Sequence, residues 1–358
     1  MSHFDLSQIP YFVDSVETND LITHENSDGY RIIRYNKKRL TPNSSYGLCR
    51  SIISNANDEI VCFSPPKSLS TETFFSKYPS PDDTIIAQEF VEGTMINVFW
   101  SGSWQIATRS TVGATGCFYN KKTFRYMFFE AATNLDFEQL DRSKCYSFVL
   151  QHPDNRIVIP ILEPRLFLVG VYSIRNKFEV CVHELPSGIA SLPLVYGHGI
   201  PYAELAEKYA SMSTPYTCMG VVIYNNVTGE RTKLRNPVYE EVRKLRGNQP
   251  KLEYQYLCLR KEQKVDDFLK YYPESKQVCA DTRNRIHDFT ENLHKNYVSC
   301  YIKKERPLIE YTKQYRTHMY NLHQYFLSVL KGQNKYMVRA DVIQYVNELH
   351  PSLLMSSI

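Results

Sequence analysis

Up to about residue 239, apolar positions come in short β-branched and aromatic runs separated by Asn, Ser and Pro clusters. YRIIRY (30–35), GLCRSII (47–53) and EIVCFS (59–64) read as strands on this pattern. TIIAQEF (84–90), TMINVFW (94–100) and WQIATRS (104–110) predict a meander, with Gly102 of SGS free to take the positive φ of a tight turn. CYSFVL (145–150), RIVIP (156–160), RLFLVGVYSI (165–174) and KFEVCVHEL (177–185) extend the series. YAELAEKYAS (202–211) predicts a short helix ahead of two further strands, MGVVIYN (219–225) and ERTKLR (230–235), joined by the hairpin loop NNVTG (225–229).

After Pro237 the period changes. Tyr311, Tyr315, Met319, Leu322, Phe326 and Leu330 recur at steps of three and four, predicting an amphipathic helix of about 22 residues. Ile286, Phe289 and Leu293, and then Ile343, Val346 and Leu349, repeat that spacing, while Pro250, Pro273 and Pro307 punctuate the segment. The expectation is an α+β protein of two domains, a sheet-rich domain over 1–240 and a helical one over 241–358.

A chain of 358 residues with 43% hydrophobic and 22% charged residues can bury a sizeable core, which excludes a disordered tail or linker. The opening MSHFDLSQIP has no basic-then-apolar leader pattern, and LFLVGV is far too short to span a bilayer, so no membrane association is expected. Nine cysteines are spread singly with no Cys-x-x-Cys pair, which argues against a zinc site or disulfide framework and for a reducing, intracellular compartment. Residues 240–358 hold 20 Lys+Arg against 14 Asp+Glu, and residues 1–239 hold 22 against 24; the basic half is a mild pointer to a polyanionic partner. There is no Gly-x-x-x-x-Gly-Lys-Ser/Thr loop, His-Glu-x-x-His or Gly-x-Ser-x-Gly.

Four segments carry more by order and spacing than singly. VEGT (91–94) is followed by PDNRIV (153–158), MGVVIY (219–224) and TKLRNPVY (232–239). In this order they resemble the phage-type RNA ligase family of covalent nucleotidyltransferases. CRS (49–51) and SPPKSLSTETFF (64–75) resemble that family's upstream elements, so the resemblance covers about residues 45–240. It implies an antiparallel-sheet, ATP-grasp-like nucleotidyltransferase domain followed by a smaller all-α domain. In the family a lysine attacks the α-phosphate of ATP, carboxylates hold a divalent ion, and cations on a closing strand neutralise the phosphate.

Carried over one residue at a time, the family's nucleophile position holds Phe90, which has no lone pair to attack with. The expected carboxylate positions hold Val149 and Met219. Glu92 remains at the ribose-contacting position, and Tyr239 follows in register. The basic positions are retained at Arg50, Lys67, Arg109, Arg156, Lys233 and Arg235, which with Glu92 form the implied nucleotide- or phosphate-binding set, with no catalytic residue and no metal ligand among them. Arg109, Lys233 and Arg235 also have a plain reading as solvated strand residues, and Arg156 as a structural residue pairing with a local carboxylate such as Asp154.

Three functions are compatible with this pattern. One is a pseudo-ligase that binds RNA ends or nucleotide, with ATP or AMP as its ligand. Another is an active ATP-dependent RNA ligase with a relocated nucleophile such as Lys67, which alone would call for Mg2+. The third is an interaction subunit that uses the ligase fold as scaffold and engages a protein partner through its helical domain. RNA is the expected partner, other nucleic acid being open, in a nucleic-acid repair setting; the Tyr-, Asn- and Lys-rich composition suits a viral protein of an infected cell's cytoplasm, viral factory or virion. The basic aromatic stretch YIKKERPLIEYTKQYR (301–316) is a candidate base-stacking segment, or else a packed aromatic face beside a solvated basic one.

Overall fold

The computed structural model describes residues 2–14, 17–26, 28–41, 44–119 and 121–358. The chain divides into two compact units, Met1–Arg243 and Lys244–Ile358. In the first, the strands are β1 (His3–Asp5), β2 (Leu21–Glu25), β3 (Arg31–Tyr35), β4 (Ile52–Ser54), β5 (Ile60–Phe63), β6 (Ile85–Glu89) and β7 (Thr94–Ser101). They continue as β8 (Ser103–Ala107), β9 (Lys144–Gln151), β10 (Arg165–Arg175), β11 (Glu179–His183), β12 (Val195–His198), β13 (Gly220–Asn225) and β14 (Arg231–Arg235).

They form three antiparallel sheets: six strands in the order β1-β11-β10-β9-β7-β8, four as β12-β6-β13-β14, and four as β2-β3-β4-β5. Side-chain alternation sets how these sheets are covered. From β9, Tyr146, Phe148 and Leu150 pack with Met127 and Phe128 of the helix Phe124–Ala131, on one face of the six-stranded sheet. On its opposite face Phe99, Cys145, Tyr172 and Val180 pack against Ile32, Ile33, Ile52, Ile53 and Phe63 of the β2–β5 sheet. In the β12-β6-β13-β14 sheet, Ile85, Ala87, Val221 and Ile223 face the helices Thr71–Lys77 and Tyr202–Tyr209 through Phe74 and Leu205. This leaves the alternate residues Gln88, Val222 and Lys233 on the other face, opposite Met95, Val149 and Val169 of the six-stranded sheet.

Two glycines let the chain close on itself here. Gly93 has φ +153°, and a Cβ there would lie 2.4 Å from the Leu150 carbonyl oxygen. Gly220 has φ +128°, and a Cβ would lie 2.1 Å from the Leu234 carbonyl oxygen. Both positions exclude a side chain on steric grounds.

The expected α+β class is what the chain adopts, and several local expectations need correction. RIVIP is no strand: it follows the 3-10 turn Pro153–Asn155 as irregular chain, because its amides bond to a buried side chain described below. GLCRSII is strand only from Ile52; Ser45–Leu48 is a 3-10 turn capped by the Ser44 hydroxyl. Strands β1, β2 and β12, and the helices Thr71–Lys77 and Phe124–Ala131 of about two turns each, are too short for their periods to stand out in the sequence.

The second unit is helical, built around Lys276–Tyr297, which buries Ile286, Phe289 and Leu293. The long helix expected from Tyr311 starts at Lys313 and passes at Phe326 into a π-helical turn ending at Leu330. Tyr311, Met319, Leu322 and Leu330 are buried, so most of that stripe is packed within the unit. In the 301–316 segment, Tyr301 stacks on His323 at 3.9 Å between ring centroids and the Arg306 guanidinium lies 4.7 Å from the Tyr311 ring centroid, so these rings already have partners. No helix among the described residues is long and apolar enough to cross a membrane.

The fully buried Phe74 ties one helix to the β12-β6-β13-β14 sheet. Phe74→Ala should lower unfolding free energy by about 3–5 kcal/mol in urea titrations. Met212→Ala, at an exposed side chain, should change it by less than about 0.5 kcal/mol; equal losses would contradict this account of the core.

Candidate functional site

Alternation along β14 puts Arg231, Lys233 and Arg235 on one face and Thr232 and Leu234 on the other. The first three line a cavity of about 260 Å3, joined by Arg50 from the turn after Ser45–Leu48 and Arg243 from the helix Pro237–Arg246. Phe90 lies just beyond β6, where Glu89 pairs with Val221. The neighbouring Gly220, paired with Arg235, has no side chain to separate the strands. The Lys233 ammonium nitrogen therefore reaches 4.4 Å from the Phe90 ring centroid and the Arg235 guanidinium 5.3 Å, both cation–π contacts.

The cations are unequally compensated. Arg235 donates from Nη1 to Glu240 at 2.7 Å, and Arg243 lies 3.6 Å from the same carboxylate. Arg50, Arg231 and Lys233 have no carboxylate within ion-pair distance among the described residues. Arg231 donates from Nη2 to the Pro66 carbonyl at 2.8 Å, and its Nε is buried without an acceptor. Burial lowers the pKa of all three. Arg231 falls to about 10, and Lys233 to about 6 through burial first and then Arg231, Arg50 and Arg235.

Two carboxylates line the cavity, and both are engaged by the backbone. Glu92 is 3% exposed and accepts hydrogen bonds from the amides of Val158 (3.1 Å) and Ile159 (3.1 Å). Burial pushes its pKa up, while its bond with the buried Tyr239, the two amides and Arg156 oppose that shift. Glu89 accepts from the Leu194 amide at 3.2 Å. Val149 and Met219 also line the cavity, so its wall is apolar where the family resemblance expects metal-binding carboxylates. Among the described residues no three His, Cys, Asp or Glu side chains converge as a metal site, and this wall does not fit Mg2+, which takes oxygen ligands.

The remaining expected residues fall outside the lining. Arg109 donates from Nε to the Arg50 carbonyl at 3.3 Å and stacks 5.0 Å from the Tyr35 ring centroid, so it props the backbone of a lining residue. Arg156 donates from Nε and Nη2 to the Val158 carbonyl, at 3.1 and 2.9 Å, clipping the turn whose amides hold Glu92. Lys67 is exposed and does not line the cavity; its amide bonds to the Gly47 carbonyl at 2.9 Å. Arg231 and Arg243 escaped the sequence reading. Extending the alternation of Lys233 and Arg235 one step back finds Arg231; Arg243 has no comparable signal. A second cavity of about 380 Å3 shares Glu89, Phe90, Glu92 and Met219 and adds Phe167 and Tyr196.

No protein-family model matches the chain. It is 24% identical over 307 residues to the RNA ligase of Rhodothermus phage RM378, covering 71% of this chain and 68% of that protein. The chain is thus similar in sequence to a phage RNA ligase. This ligase-like chain is also 25% identical over 301 residues to an immediate-early protein ICP-46 homolog of Invertebrate iridescent virus 6, covering 76% of the chain but under two thirds (63%) of that protein. Among solved structures, an archaeal ATP-dependent RNA ligase superposes with a TM-score of 0.45 at 12% identity, over 81% of this chain and 83% of that one.

The depressed pKa of Lys233 gives a testable sign. An unfolded lysine keeps its proton to about 10.5 and the folded one releases it near 6, so between these values the unfolded chain binds more protons and stability rises with pH. Lys233→Met should flatten this rise and raise the melting temperature at pH 6, where the buried charge is most costly. Superimposable stability–pH curves for the two proteins would contradict the burial of an uncompensated amine.

Proposed function

We propose that this RNA ligase-like protein binds the phosphates of an RNA 5′ end or a nucleotide and no longer seals ends. One observation carries the reading: Arg50, Arg231 and Lys233 line one cavity without a carboxylate ion-pair partner among the described residues, together with an aromatic ring at the position the family resemblance assigns to the attacking lysine. Buried Arg50 and Arg231 without counter-charge favour an anionic ligand, because the anion restores what desolvation removed, and such an anion draws the proton back onto Lys233. Phe90 supplies no nucleophile, so the covalent intermediate that divides ligation into two accessible steps cannot form at this position.

The resemblance and the phage ligase relative favour RNA as the polyanion; the phage and iridovirus relatives favour a viral setting. Arg109 and Arg156 are positioning residues on this reading: one supports Arg50 and the other supports the turn that seats Glu92. Lys67 is a poor substitute nucleophile, being exposed outside the cavity lining.

Fluorescence polarisation with a short RNA carrying a 5′-phosphate, beside the same RNA with a 5′-hydroxyl, tests binding. The phosphorylated end should bind more tightly, and Lys233→Met should weaken it by about tenfold or more, the scale of one charge-assisted hydrogen bond. Equal affinity for both ends would refute end recognition. Intact-mass measurement after incubation with ATP and Mg2+ should show no added AMP. An adduct, including one mapping to Lys233, would overturn the loss of ligase chemistry.

A further inference from the structure

We propose that the cavity takes a polyphosphate group as the free anion rather than as its divalent-metal complex, whether on a nucleoside triphosphate or a 5′-triphosphorylated RNA end. This rests on reading the cavity as a phosphate site and adds the ligand's length and its independence of metal.

The length follows from the strand. Positions 231, 233 and 235 share one face, and at about 3.3 Å per residue they spread three basic side chains over about 13 Å, Arg235 being shared with Glu240. One phosphate cannot bridge that row; a chain of phosphates runs along it. Arg50 adds another cation to the same wall, and Arg231 presents the buried Nε that lacks an acceptor. Of the buried side-chain donors without an acceptor among the described residues, this Nε is the one on a residue lining this cavity, where a ligand oxygen would satisfy it.

Independence of metal follows from the oxygen inventory. A divalent cation held by the site as well as by the phosphates takes at least one carboxylate or carbonyl oxygen from the wall, beside water and phosphate oxygens. The two lining carboxylates are committed to main-chain amides, and Glu92 to Tyr239 as well. Around them stand Met95, Val149, Val169, Met219 and Val222. A metal would also bring positive charge into a site that already holds an excess of it, at low dielectric. The wall thus does for a polyphosphate what the metal does elsewhere, and magnesium in solution competes with the protein for the same oxygens.

Isothermal titration calorimetry of the full chain with inorganic phosphate, pyrophosphate and tripolyphosphate, first in EDTA and then in excess Mg2+, tests both points. In EDTA, affinity should rise about tenfold with each phosphate added, and excess Mg2+ should weaken tripolyphosphate binding. ATP and a 5′-triphosphorylated oligoribonucleotide, run alongside in EDTA, separate the two sources; the tighter of them names the natural carrier. Arg231→Met and Lys233→Met should each lose at least about tenfold, while the exposed Lys208→Met keeps wild-type affinity; melting curves of all three confirm that they fold. Binding that requires Mg2+ would overturn this inference and leave the phosphate reading standing, as would equal affinity for phosphate and tripolyphosphate. No binding of any anion in either condition would remove both.

Discussion

Uncompensated positive charge on one face of β14 is the constraint around which the site is built. Arg231 and Lys233 are withdrawn from bulk water, and the lysine amine lies 4.4 Å from an aromatic ring centroid with no carboxylate within ion-pair distance among the described residues. Burial first, and then the neighbouring arginines, make a charged amine costly here, and the pKa of Lys233 falls to about 6. A fold that keeps such a row in place without local counter-ions depends on the rest of the domain to hold it. The antiparallel register of β6, β13 and β14, closed tightly at Gly220, does so.

Glu92 is the counterweight. Its carboxylate is buried beside this excess of cations, yet it does not neutralise them; it is spent on the amides of Val158 and Ile159 and on Tyr239. Those bonds fix the turn after Asn155 and the start of the helix Pro237–Arg246 against the cavity wall. Arg156 reinforces the turn through the Val158 carbonyl. The residue that the family resemblance assigns to a ligand's ribose is here a structural clamp as the protein stands, and any ligand contact must be made by carboxylate oxygens already sharing two amides.

The legible part of this molecule was whatever has a period. Short β-branched and aromatic runs such as TMINVFW and MGVVIYN mark strands, the three-and-four spacing from residue 286 marks helices, and the order of four short segments marks the resemblance to RNA ligases. Less legible was whatever depends on a single long-range bond. RIVIP has the composition of a strand and is irregular chain because Glu92, more than sixty residues earlier, takes its amides. Arg109 and Arg156 sit at basic positions of the resemblance, but neither guanidinium reaches the cavity, since backbone carbonyls hold both. Arg243 joins the lining only because a helix follows the last strand, something no local spacing announces.

The most direct test is a crystal structure of the full chain grown with tripolyphosphate in the presence of EDTA. The account predicts phosphate density along β14, within hydrogen-bond distance of Arg231 Nε, Lys233 Nζ and the Arg50 guanidinium, over the face of Phe90. Density seated elsewhere, for instance on the lysines of residues 303–304, with the β14 cavity holding only water, would contradict it.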